Sequence, residues 1–136
     1  MKKYINRSIF YALLAMVGGV FYREFTKIMS FTGTTALGKV HVHLLVLGTF
    51  VYLIVALFSK QINFEKEKSF KLFKYLYDVG LLLTVIMLVV RGITQVLAIN
   101  ISKGLSASIS GVAGIGHILI AIGFISLLLS FRKACE

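Results

Sequence analysis

The sequence has no proline, one cysteine and only five acidic residues in 136. Without proline, nothing in the covalent chain forces a helix to kink. The lone thiol of Cys135, beside the C-terminus, excludes an internal disulfide and reads as an inert tail residue. The shortage of acids leaves no paired carboxylates for acid–base work, and there is neither a Ser-His-Asp set nor a phosphate-cradling glycine loop. Gly114-x-Gly116 lies inside an apolar run and reads as helix packing. These absences point away from an enzyme.

What the chain does have is oil. Hydrophobic residues make up 58% of it and the mean hydropathy is +0.91, more than a soluble core uses. At 136 residues it forms a single domain, an integral membrane protein. The net charge of +10 raises nucleic acid or anionic lipid as partners. The cations sit in the gaps between apolar runs, which favours the lipid bilayer and topology. No basic helix with interleaved aromatics is present, so nucleic acid is not expected.

Four spans are predicted, at about 8–27, 37–58, 75–99 and 107–131. The first follows a short basic start ending at Arg7, a pattern shared with signal peptides. Val17-Gly-Gly-Val-Phe-Tyr22 offers no good cleavage site and runs directly into Arg23-Glu24, so the helix is expected to be retained. Ser59 to Lys74 is the one soluble-looking segment, with Phe64, Phe70 and Phe73 among lysines and glutamates. Part of it reads as an amphipathic stretch on the membrane surface. Short connections predict an all-α, up-down-up-down four-helix bundle. Ten lysines and arginines fall on the side of the termini and four on the other, with Arg91 between. Both termini are therefore expected to be cytoplasmic, in a multi-pass protein of the cell membrane.

Ionisable side chains inside such spans are costly and usually face a partner, a cofactor or a water-filled cavity. The chain has three histidines, His41, His43 and His117, all inside apolar runs. On this topology they share the outer half of the membrane with Arg91 and Gln95, while Arg23 and Glu24 close the outer end of the first span. Asp78, at the inner end of the third span, reads as a local partner of Lys74.

Three explanations compete for the histidines. In the plainest, each bonds a neighbouring helix and steadies the bundle by roughly 0.6 kcal/mol per bond. In the second, imidazoles on facing helices hold a b-type haem. The face of His117 carries Ser110, Ala113, Gly114 and Ala121, all small, and Arg23, Lys39 and Arg91 are available for the propionates. In the third, His41, His43 and His117 bind zinc or copper. A surround of Arg23, Lys39 and Arg91, with Glu24 the only nearby acid, suits an anion-tailed cofactor better than a bare dication. Haem therefore ranks first, with electron transfer, haem handling and gas sensing left open.

His41 and His43 are two residues apart, a turn of about 200° on a helix, so they cannot both ligate one haem. His41 shares its face with Gly48 and is slightly favoured; His43 shares a face with Lys39. The alternative from another class is a cofactor-free transporter subunit or assembly partner of a larger membrane complex. Histidines on two faces also leave a face for a homodimer.

Phe21-Tyr-Arg-Glu-Phe-Thr-Lys27, His41-x-His43-Leu-Leu-x-Leu-Gly48, Arg91-Gly92-x-x-Gln95 and Gly116-His117-Ile together resemble a family of small bacterial membrane proteins of unknown function. That resemblance covers nearly the whole chain and implies four spans, but no activity. The His-x-His-Leu block is separately similar, over about ten residues, to haem-ligating helices of haem-copper oxidase catalytic subunits and of nitric-oxide-response membrane proteins. The other spans and copper-site histidines of the oxidases are missing, so oxygen reduction is not implied.

Overall fold

A computed structural model describes all 136 residues. Four helices, each long and apolar enough to cross a membrane, make a four-helix bundle: α1 (Lys2–Ile28), α2 (Leu37–Phe58), α3 (Lys68–Val96) and α4 (Lys103–Ala134). Both chain ends lie at one end of the bundle, called here the terminal end: Lys3 meets Glu65, and Phe131 stacks on Phe58. The opposite, distal end carries the α1–α2 and α3–α4 connections.

Helix boundaries follow from local backbone chemistry. α1 and α3 end on Ser30 and Ala98, at φ of 52° and 50°, in left-handed caps made without glycine. Phe31 N–H donates to Thr26 O, and Ile99 N–H to Thr94 O, which satisfies carbonyls the helices would otherwise orphan. Ser102 caps α4 by accepting from the Leu105 N–H at 3.2 Å.

The helices pack as a row rather than a closed ring. α1 lays Tyr4, Ser8, Tyr11 and Ala15 against α2. The distal end of α2 sits on α3 because Gly92 leaves room for it; a Cβ there would stand 2.5 Å from Leu37 Cγ. α3 and α4 are pressed together along their length by Gly80, Gly116 and Gly123. A Cβ on Gly80 would lie 2.8 Å from the Gly116 carbonyl oxygen, an approach only small residues allow. α2 and α4 reach each other across a gap, Phe58 on Phe131 at the terminal end and His43 on His117 towards the distal end.

Three expectations are corrected. α3 begins at Lys68 rather than near 75, and α4 runs from Lys103 to Ala134 rather than 107–131. Phe64, Phe70 and Phe73 are buried in the core instead of lying on a membrane surface. Phe70, Phe73 and Tyr77 recur at helical spacing, so the first turns of α3 are an amphipathic start to the span itself. Although no proline is present, α2 is not uniform: Leu44–Phe50 is π-helical. Gly48, at its centre, lies against Tyr11, where a Cβ would come within 2.6 Å of the ring. The widened turn also exposes two carbonyls, Leu47 O accepting from Tyr77 Oη at 2.8 Å and Thr49 O from Ser8 Oγ at 3.0 Å.

Candidate functional site

His43 is the imidazole that faces His117. Their ring centres are 6.1 Å apart with the planes at 89°. Each Nδ1 lies against the carbonyl one turn back on its own helix, His43 on Lys39 O at 2.9 Å and His117 on Ala113 O at 2.8 Å. A carbonyl accepts only, so each Nδ1 carries a proton, and in the neutral ring each Nε2 keeps its lone pair. Metal-ligating histidines are commonly held this way, one ring N–H donating to a carbonyl so that the ring is fixed and the other nitrogen faces the metal. His41, which the sequence slightly favoured, turns the other way, its Cβ and Cγ against Gly19 of α1. Its buried Nδ1 has no hydrogen-bond partner.

Towards the distal end lies an open groove of about 520 Å³ between the start of α2, the end of α3 and the first half of α4. Lys39 and Ala113, each one turn from a histidine of the pair, line it together with Arg91, Gln95, Ser106 and Ser110. Neither imidazole lines the groove itself; the pair lies next to it, one helical turn beyond Lys39 and Ala113. Arg91 donates to Ser106 Oγ at 2.9 Å, and to Ser106 O and Ser110 Oγ at 2.8 Å. These acceptors are neutral and no carboxylate pairs with the guanidinium, so its charge is held in place and left uncompensated. Lys39 is exposed and has no acid partner either. Gln95 faces the start of α2, accepting from the Ala36 N–H at 2.8 Å. The small residues predicted beside His117 leave space: Ala113 lines the groove, and a Cβ on Gly114 would meet nothing within 4 Å.

Two predicted participants stand apart. Arg23 pairs with the adjacent Glu24 at 3.6 Å on the surface of α1, away from the groove. His41 belongs to the α1–α2 contact. No third histidine, cysteine or carboxylate joins His43 and His117 into a metal-binding group, so this chain offers two protein ligands there.

Asp78 is a correction. Its partner is not Lys74 but Arg7 of α1, at 3.4 Å through Oδ2, while Oδ1 accepts from both Tyr11 Oη and Tyr52 Oη at 2.7 Å. One buried carboxylate therefore ties α1, α2 and α3 together. The signal was an aspartate inside an apolar run in a chain with tyrosines inside two other spans. Their convergence depends on long-range packing.

A family model described as "Protein of unknown function (DUF2871)" matches residues 1–134. No curated protein and no solved structure matches the chain.

Proposed function

The chain belongs to the DUF2871 family, whose function is unknown, so its activity must be read from its own residues, and we propose that it is a membrane haem protein. The observation that carries this reading is the His43–His117 pair, two imidazoles from separate helices with both Nε2 atoms free. Two imidazole nitrogens sharing one metal at about 2.0–2.1 Å would hold their ring centres within roughly 6 Å of each other. The 6.1 Å spacing fits that distance. Lys39 and Arg91 in the groove are the cations for the propionates; Arg23 and His41 are not part of the site. The two-ligand set disfavours a bare zinc or copper ion, which needs further protein donors.

When bound, haem supplies a one-electron couple, and two histidine ligands favour electron transfer over gas binding. The chain's own residues present two fixed donors and neutralise an anionic edge. In a bilayer the apolar flanks of α2 and α4 would keep water from the pair. We also propose that the terminal end, with ten of the fifteen basic residues, is cytoplasmic, which puts the pair in the outer half of the cell membrane. Reporter fusions at either terminus should fluoresce as cytoplasmic GFP does; periplasmic alkaline phosphatase activity there would reverse the orientation.

The test of the haem reading is an absorption spectrum of protein purified from cells supplied with iron and 5-aminolevulinate. A Soret band is expected that is lost in His43→Ala and in His117→Ala and kept in His41→Ala. A colourless wild-type preparation sinks the proposal and leaves a cofactor-free membrane subunit; loss only in His41→Ala moves the ligand to the other face of α2.

A further inference from the structure

The terminal end of the bundle holds a second cavity, of about 260 Å³, unrelated to the histidine groove. Four cations line it from two helices, Lys3 and Arg7 of α1, and Lys71 and Lys74 of α3. Each pair sits one turn apart, so each helix presents its two charges on one face. α1 and α3 do not pack on each other along their length. The four charges therefore flank a seam, with Tyr52 of α2 and Phe70 on its lining.

Acidic groups balance only part of this charge. Glu65 is the single acid on the lining, and it is taken up by Lys3 at 2.5 Å. Arg7 reaches Asp78 from the cavity side, 6.0 Å above the Tyr52 ring, leaving part of its fork open. Lys71 and Lys74 have no carboxylate partner and are exposed. The cavity lies where the apolar spans begin, at the level of a headgroup, and basic pockets between spans at that depth suit anionic lipid headgroups.

We propose that Arg7, Lys71 and Lys74 form a binding site for a phosphate group, supplied by the headgroup of an anionic phospholipid whose chains lie in the α1–α3 seam. A solvated basic face does not account for the arrangement. The other lysines of this end, such as Lys66 and Lys68, are also exposed but do not line the cavity. The inference is independent of the haem reading.

Native mass spectrometry of the full-length protein released from detergent tests it, with phosphatidylglycerol and phosphatidylethanolamine added in equal amounts. One phosphatidylglycerol per chain should be retained in preference. Removing two nearby charges in Lys71→Gln/Lys74→Gln should weaken retention roughly tenfold or more. Lys66→Gln/Lys68→Gln, equal in charge, should leave it within about twofold if the cavity rather than the overall field is responsible. Equal losses in both variants, or no preference in the wild type, overturn the proposal. Millimolar inorganic phosphate is the second arm. Retention of phosphatidylglycerol against it assigns the site to lipid; its displacement, with phosphate adducts that vanish in Lys71→Gln/Lys74→Gln, overturns the lipid source and assigns the site to soluble phosphate.

Discussion

Single side chains do different work at the two ends of this bundle. The histidine pair needs two coordinated orientations, and each is set by a hydrogen bond to the residue's own helix rather than by a neighbour. At the other end, Asp78 is satisfied by three side chains from two other helices. Removing one member of a buried charge pair costs several kcal/mol. Arg7 is half-exposed, which reduces that cost. Asp78→Asn should therefore lower stability by about 1–3 kcal/mol, set mainly by hydrogen bonds to a charged group. Tyr11→Phe or Tyr52→Phe should each cost less, about 1 kcal/mol or below. Thermal unfolding in detergent checks this order. Asp78→Asn milder than either tyrosine variant would show that the charge of Asp78 contributes little.

Among the helices, α3 and α4 owe their closeness to three glycines, while Gly111 and Gly114 on α4 face open space. Gly116→Val must push against Thr84 and should destabilise by about 1–3 kcal/mol, as overpacking does. Gly111→Ala should stay within about 0.5 kcal/mol of wild type. A denaturation series on both variants separates tight packing from a merely glycine-rich sequence. Much of this level was legible beforehand: four spans, their order and the small face of His117 all follow from apolar runs and helical spacing. The π-helical turn of α2 was not, because Gly48 reads equally well as a small packing residue in a regular helix. Its contact with Tyr11, which leaves no room for a side chain, is visible only in the folded structure.

Taken as a whole, the molecule is a row of helices with a polar clamp at one end and an open cationic groove at the other. The link between Lys3 and Glu65 helps close the terminal end by tying the start of α1 to the α2–α3 connection. The Lys3 ammonium, donating to Glu65, holds that carboxyl below the usual carboxylate range. Because the folded-state value lies below the unfolded one, the tie contributes fully above the unfolded value, about 4.3, and is lost as pH falls through the lower folded value. Both partners are exposed, so the effect is small and screened by salt. The stability advantage of wild type over Glu65→Gln should be present at pH 7, shrink as the carboxyl is protonated, and fall further with added salt. A thermal-shift titration of the two proteins would read it; a constant difference across that range contradicts the assignment.

Length, composition and the positions of cations were enough to establish the class of this protein and the number of its spans, since burying a backbone in lipid leaves a run of this kind little choice but a helix. They were enough, too, to say that His41 and His43 point opposite ways. They could not say which face each helix turns to its neighbour. In a bilayer the lipid-facing and partner-facing sides of a helix are similarly apolar, so hydrophobic pattern carries little information about neighbours. Close approach at Gly48, Gly80 and Gly116 settled that, and with it the turning of His43 rather than His41 towards His117 and the meeting of Asp78 with Arg7.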